Sequence, residues 1–447
     1  MPSLTERDLA VLWHPCTQMK EQAESPLLHI KKGEGVWLED VDGKRYIDAI
    51  SSWWVNLFGH CNPRISARVH EQLDQLEQVI LAGCSHQPVL ELSERLVQIT
   101  PAPLTRCFYA DNGSSAVEIA LKMSFHYWQN TGHSKKTRFA NIANSYHGET
   151  LAALAVGDVS LYKDTYAPLL MPVFTADSPD CYYREEGENW DDYSRRKFAS
   201  MEALLEQHHE EICAVIVEPL VQCSGSMRMY HPVYLKLLRD ACDRYNVHLI
   251  LDEIATGFGR TGTLFACEQA GISPDFMCLS KGLTGGYLPL SCVLTSDDIY
   301  AAFYDDYGSL KAFLHSHSFT GNPLGCAAAL GTLDIFASDD VINENRKTAA
   351  HLAAAIAPFA DHPHVAEVRQ TGMIAAIEVV KNKHTRERYD YRERRGMHIY
   401  RHALTQGVLM RPLDTVVYFM PPYVITPEEI DILARVAREG IDIAVQA

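Results

Sequence analysis

The 447 residues carry 40 Lys and Arg against 57 Asp and Glu, a formal net charge of -17, and 47% are hydrophobic. That length allows one large or two moderate domains around a substantial core, and an acidic chain without a basic block has the wrong sign for a nucleic-acid binder. The 12 cysteines are scattered without a CxxC pair, which argues against a zinc site and a disulfide framework. The start, MPSLTERDLAVLWHP, lacks a basic segment followed by an apolar one, and no apolar run approaches the length of a membrane span. A soluble cytoplasmic protein with reduced thiols is expected.

Short apolar runs alternate with amphipathic stretches through the middle of the chain, the pattern of an α/β fold. Arg106–Ala110 reads as a strand, and Asp111-Asn112-Gly113-Ser114-Ser115 leads from it into a helix over Ser115–Met123. Backbone N–H groups and hydroxyls therefore converge at a helix N-terminus, an arrangement that binds phosphate but that also serves as a plain turn and cap. Ser145-Tyr146-His147-Gly148-Glu149-Thr150 then sets an aromatic beside a polar cluster. A planar ligand ring could stack there, although such a tyrosine standing alone would equally suit an interface. Cys213–Val217 and Val247–Leu251, on either side of a helix over Pro232–Tyr245, are near-continuous apolar runs. Strands of that kind are covered on both faces, in a mostly parallel or mixed sheet. The second run ends in Asp252-Glu253-Ile254, and a third runs from Asp275 into Ser280-Lys281-Gly282.

Lysine is rarely buried without a partner or a task, so Lys281 between apolar residues and glycines is a candidate nucleophile. An amine in a glycine-flanked pocket, with a carboxylate at the end of a buried strand, is the arrangement pyridoxal phosphate needs. The lysine condenses with the cofactor aldehyde, and Asp252 keeps the ring nitrogen protonated so that the ring withdraws electrons. Ile254 is placed to pack on the ring face opposite Tyr146, at strand ends where open α/β sheets bind ligands.

Beyond a helix over Leu324–Ala337 the pattern changes. A helix from about Val341 to Phe359 is followed by the runs Gly372–Val380, Val408–Pro412 and Val416–Met420, which predict a small α+β domain starting near residue 335. The charged stretch Lys381–Arg395 reads as a solvated loop and helix. The expected division is an N-terminal segment 1–60 at the site entry, a large cofactor-binding domain 61–334, and a small domain 335–447.

Gly113-Ser114-Ser115, Tyr146-His147-Gly148, Val217-Glu218-Pro219, the block DEIATGFGRTG at 252–262 and Ser280-Lys281-Gly282 resemble the class III (ω-type) aminotransferases. The resemblance extends over nearly the whole chain and is most specific at 252–286. It implies the α/β, PLP-dependent transferase fold type I, with a large central-sheet domain plus a small α+β domain from both chain ends. It also implies a homodimer with shared active sites. Cofactor contacts are implied for Gly113, Ser114, Tyr146, Asp252 and Lys281, the last being the catalytic residue. His317 and Ser318, within His315–Pro323, are implied to reach the phosphate from the neighbouring subunit. Taken alone, that stretch is also an ordinary Gly-Asn-Pro entry to a helix.

Trp13–Met19, Ser51–His60 and Phe419–Tyr423 further resemble the biotin-pathway members of the family. This implies S-adenosylmethionine as amino donor, 8-amino-7-oxononanoate as acceptor, and substrate contacts from Trp53, Tyr146, Lys281, Ser316 and Arg411. The adjacent indoles Trp53 and Trp54 suit the wall of an apolar channel or the core. The implied role of Arg411 is to clamp the substrate carboxylate, for which a bidentate guanidinium is well shaped, with Tyr418 close by in sequence. Where some of these members carry a tyrosine, this chain has Cys16, whose thiol supplies neither an aromatic stack nor a strong phenolic hydrogen bond. Another ω-aminotransferase with a different donor or acceptor, or a fold-type-I isomerase or decarboxylase, would show the same cofactor motifs.

Overall fold

Three sheets, a two-stranded hairpin and the helices between them make up the fold in the computed structural model, which describes residues 2–22 and 27–447. The first strands, β1 (Ile30–Glu34), β2 (Trp37–Asp40) and β3 (Arg45–Asp48), form an antiparallel ribbon near the N-terminus. The central sheet is built from β4 (Leu104–Ala110), β5 (Arg138–Ile142), β6 (Phe174–Ala176) and β7 (Ile212–Val217). After a small hairpin of β8 (Val221–Gln222) and β9 (Arg228–Met229), it continues with β10 (His248–Asp252), β11 (Phe276–Leu279) and β12 (Ser291–Ser296). The C-terminal part adds β13 (Val365–Thr371), β14 (Ile374–Val379), β15 (Val408–Leu409) and β16 (Val416–Phe419).

The central sheet has the order β4-β12-β11-β10-β7-β5-β6. Only β12 runs against its neighbours, so β4, paired antiparallel to it, points the same way as β11. Every residue of β7, β10 and β11 is buried, as their unbroken apolar runs require of strands covered by helices on both faces. The C-terminal ends of β4, β5, β7, β10 and β11 consequently share one edge, and the motif residues follow those ends directly.

The two chain ends meet. β15 pairs in parallel with β3, Val408 opposite Ile47, and so extends the N-terminal ribbon. β13, β14 and β16 form a separate antiparallel sheet. Among the described residues, no helix is long and apolar enough to cross a membrane.

The helices expected over 115–123, 232–245 and 324–337 are found at Gly113–Asn130, Val233–Tyr245 and Pro323–Ser338. The helix expected over 341–359 ends at Ile356 and tightens into a 3-10 turn, Ala357–Asp361, with Pro358 in its first turn. The charged stretch 381–395 holds a short 3-10 turn, Tyr391–Glu393, before the helix Arg395–Thr405.

Candidate active site

At the end of β4, the Asn112 side chain caps the helix Gly113–Asn130 by accepting from the Ser115 N–H at 3.1 Å. The cap leaves the first N–H groups of the helix aimed at the strand edge, where the helix dipole favours an anion. Ser114 Oγ accepts from the Glu149 N–H at 3.2 Å, which ties this turn to the tyrosine loop. Gly148 makes that closeness possible: its φ is +120°, and a Cβ there would lie 2.0 Å from Ser114 Oγ. Ile254 packs against Gly113 on the other side, so close that a Cβ on Gly113 would meet it at 2.9 Å.

Asp252, the last residue of β10, is 5% exposed. Its Oδ2 accepts from His147 Nδ1–H at 2.8 Å and its Oδ1 from the Ile254 N–H at 3.1 Å. Those two donors orient the carboxylate and leave lone pairs free for a third. His147 Nε2 is buried without a partner among the described residues, as is Asp111 Oδ1 at the end of β4. Such orphans are costly in a closed interior and mark a place for a polar ligand.

Lys281 follows β11 and has a left-handed φ of 43°. Its Nζ lies 4.4 Å from the centroid of the Trp54 ring. Burial lowers its pKa below the ordinary lysine value; Cys223, Asp252 and Glu218 offset part of this, and Arg260 adds to it. A lowered amine pKa raises the neutral, nucleophilic fraction. Glu218, at the end of β7, accepts from the Tyr146 N–H at 2.9 Å and the Cys223 N–H at 3.0 Å, and burial pushes its carboxyl up to about 7. The Tyr146 phenol donates to Glu149 Oε1 at 2.9 Å; burial first, then Glu149, raises its pKa and keeps it protonated.

The mouth of the site is built by the chain ends. Arg411 Nη2 donates to the Cys16 carbonyl at 2.9 Å, and its guanidinium lies 4.9 Å from the Trp53 ring centroid. Burial, then Glu149, raises the Cys16 thiol, while Arg411 lowers it. Trp53 is exposed, whereas Trp54 is 3% exposed and donates its indole N–H to the Tyr418 hydroxyl at 3.1 Å. The stretch Ser51–Trp54 forms a left-handed turn with φ values of 51°, 47°, 73° and 73°. Each non-glycine residue held that way costs roughly 1–2 kcal/mol.

Gly113, Ser114, Tyr146, Asp252 and Lys281 thus converge on one strand edge, with Trp53 and Arg411 paired at the rim. Within the single chain, His317 Nδ1 lies 3.2 Å from Asp111 Oδ2 and also contacts His315, Nε2 to Nε2, at 2.9 Å. Ser316 and Ser318 are exposed on this loop, which is anchored by Gln78 Nε2 donating to the Ser318 carbonyl at 2.8 Å. Two residues that sequence reasoning left without a role stand in or next to the site: His147 holds Asp252, and Glu218 holds the Tyr146 backbone. Trp54, read as channel wall or core, is buried and underlies the lysine amine. His147 and Glu218 each sit inside a motif already singled out, but only the fold shows which way they face.

These residues fit pyridoxal phosphate. Gly113-Ser114 would cradle the phosphate, Asp252 would meet the ring nitrogen, Tyr146 and Ile254 would face the ring, and the desolvated Lys281 amine would meet the aldehyde. Comparison with known proteins agrees. The family description "Aminotransferase class-III" matches residues 18–438. The adenosylmethionine-8-amino-7-oxononanoate aminotransferase of Helicobacter pylori is 48% identical over 434 residues, 96% of this chain and 95% of that protein. The protein of the same name from Geobacter sulfurreducens is 42% identical over 432 residues, again 96% and 95%. A crystal structure of the Methanocaldococcus jannaschii protein of that name superposes with TM-score 0.93 at 39% identity, covering 98% of each chain. The omega transaminase of Pseudomonas jessenii in complex with PMP superposes at 0.94 with 28% identity, covering 100% of this chain and 99% of that one. With its lysine, aspartate and Gly113-Ser114 turn on one sheet edge and relatives matching over nearly its whole length, this chain belongs to the class III aminotransferases, enzymes that depend on pyridoxal phosphate.

Proposed function

We propose that the enzyme transfers the amino group of S-adenosylmethionine to 8-amino-7-oxononanoate, giving 7,8-diaminononanoate in biotin biosynthesis. The observation that carries this reading is the agreement on one named reaction among relatives that align over nearly the whole chain. The rim of Trp53, Arg411 and Cys16 supports it, since an aliphatic keto acid needs an apolar wall ending in a cation.

When bound, pyridoxal phosphate supplies an aldehyde that condenses with primary amines and a ring that withdraws electrons from the bond being broken. The side chains do the rest. Gly113 and Ser114 bind the phosphate, Tyr146 and Ile254 fix the tilt of the ring, and Asp252, steadied by His147, holds the proton on the ring nitrogen. The Lys281 amine would take the proton from the donor α-carbon, and burial, by lowering its pKa, favours the neutral form that a base needs. Arg411 orients the acceptor by its carboxylate while Trp53 keeps water from the aliphatic chain.

The working unit in this reading is a homodimer with shared sites, in which His317 and Ser318 serve the partner's phosphate. The exposure of Tyr304, Tyr307, Leu310, Leu314 and Phe319 along one loop supports it, since a run of large apolar side chains facing water calls for a covering surface. The reading also places the protein in the cytoplasm, consistent with twelve free thiols. It divides the chain into a large domain, 61–334, and a small domain made from 1–60 and 335–447.

The test is product formation from S-adenosylmethionine and 8-amino-7-oxononanoate, followed by mass spectrometry, against a panel of other amines and keto acids. The wild type should make the diamine, and Lys281→Ala should make none while keeping its fold and losing the cofactor's lysine-bound absorption band. Faster turnover of another pair would overturn the substrate assignment, and full activity in Lys281→Ala would overturn the role of that amine.

A further inference from the structure

We infer that Asp48 is a positioning residue for acceptor recognition: its buried carboxylate holds the left-handed turn Ser51–Trp54 in the one conformation that sends Trp54 under Lys281 and Trp53 under Arg411. The inference rests on the acceptor named above, and its test carries a readout that needs no substrate.

The turn needs holding. None of its four residues is a glycine, yet all four lie at positive φ, and it is closed by Trp54 N–H to the Ile50 carbonyl at 2.8 Å and Val55 N–H to the Ser51 carbonyl at 3.0 Å. Left alone, such a segment relaxes toward right-handed or extended backbone. Reversing the hand changes the direction in which successive side chains leave the turn, so the relaxed form cannot deliver both indoles to their present places.

Asp48 ends β3 just before the turn and has no exposed surface. Its Oδ1 accepts from the Ile50 N–H at 3.2 Å; its Oδ2 accepts from the Ser52 hydroxyl at 2.7 Å and from His60 Nε2–H at 3.0 Å. The arrangement continues outward, with Asn56 Nδ2 donating to His60 Nδ1 at 3.2 Å. Two further clamps act on the turn and the residues just after it: the Ser51 hydroxyl donates to the Met420 carbonyl at 2.7 Å, and Arg260 Nη2 donates to the Trp54 carbonyl at 3.5 Å and to the Asn56 carbonyl at 2.9 Å. Among these, Asp48 is the one group that binds both the entry to the turn and its second residue. Three donors converge on two oxygens, a demand that a carboxylate meets as it stands, whereas a carboxamide loses the charge and one acceptor and forces the Ser52 hydroxyl and the His60 ring to reverse their roles. Asp48 reaches neither Lys281 nor Arg411; its effect passes through the indoles.

The experiment compares holoenzyme of wild type, Asp48→Asn, and Asp48→Asn combined with Ser52→Gly. Glycine occupies positive φ without penalty, so the second change should restore a turn that no longer has its clamp. Asp48→Asn should raise the KM for 8-amino-7-oxononanoate about tenfold, the equivalent of one lost charge-assisted hydrogen bond, with a smaller change in kcat. The double variant should recover most of that loss. Independently of substrate, 19F NMR of 5-fluorotryptophan-labelled protein, with signals assigned through Trp53→Phe and Trp54→Phe, should show both indole resonances displaced in Asp48→Asn and returned in the double variant. Indole signals unchanged by Asp48→Asn would overturn the inference whatever the substrate proves to be. So would a lowered melting temperature with an unaltered KM, or a double variant that recovers nothing. A wild type that ignores 8-amino-7-oxononanoate yet shows the displaced and restored indoles would instead sink the substrate assignment and leave the positioning role standing.

Discussion

Arg411 faces neutral partners in this structure, the Cys16 carbonyl and the Trp53 ring, and among the described residues it pairs with no carboxylate. A rim guanidinium held by a carbonyl and a ring is oriented but not neutralised, which leaves its charge available to an incoming anion. Losing such a charge-assisted contact costs about 1.5–3 kcal/mol. Arg411→Ala should therefore raise the half-saturation for the keto acid by roughly one to two decades, at about 1.4 kcal/mol per decade. Arg411→Lys should recover only part, because an ammonium cannot make the planar two-pronged contact. The cofactor absorption band should not move in either variant. Steady-state kinetics with the keto acid varied would check this, and an unaltered half-saturation would assign the carboxylate to another residue. The sequence offers little by which to rank Arg411 above other arginines; the resemblance singled it out, and the geometry adds that Trp53, from the opposite end of the chain, lies beneath it.

At the scale of elements, legibility followed burial. β7, β10 and β11 read directly from the sequence because strands covered on both faces are unbroken apolar runs. β1, with the sequence IKKGE and four exposed residues, carries no such signature; it is a strand because β2 pairs with it. The helix Trp190–His208 was equally quiet, being rich in charge on its solvent face. Burial also leaves a titration signature at the start of β10. His248 stacks on Trp128 at 4.5 Å and shares a 2.9 Å hydrogen bond with Ser124, and burial pushes its imidazole down to about 4. Between that value and the usual 6.5 the unfolded chain binds the proton and the folded one does not, so this residue makes stability fall as pH falls through the window. Glu218 and Glu253, both raised to about 7 by burial, act in the opposite sense there, since the folded state keeps their protons. A variant comparison separates them. From pH 7 to pH 5 the wild type should lose about 2 kcal/mol relative to His248→Phe, measured by denaturant unfolding. Parallel pH curves for the two proteins would refute the assignment.

The molecule as a whole was legible in class but not in closure. Alternating apolar and amphipathic segments gave the α/β architecture, and the strand-end motifs placed the cofactor groups on one edge. No local pattern announces that β15 returns to pair with β3, because contacts so distant in sequence leave no periodicity behind. Nor does a single chain show the fate of the exposed loop carrying Tyr307 and Leu314, which are 94% and 89% exposed. If that loop covers a second copy, the protein should run at twice its 50.2 kDa chain mass in light scattering. Ser318→Ala should weaken cofactor binding modestly, and mixed dimers with Lys281→Ala should contain one site with both residues intact. That site should bind and turn over like the wild type. A mixture no better than the Ser318→Ala protein would remove the shared-site arrangement.

The pairing of β15 with β3 also fixes an order of events on the ribosome. Residues 104–296, which hold the central sheet and the cofactor groups, are synthesised before Val408 can reach Ile47. Until then β3, which ends at Asp48 just before the paired indoles, has an unfilled strand edge, the kind of surface on which nascent chains pair wrongly. Arg411, proposed above to receive the substrate carboxylate, is made later still. A chain that ends between Lys281 and Arg411 has every residue proposed to hold the cofactor from its own subunit, but not yet the arginine proposed to receive the substrate carboxylate.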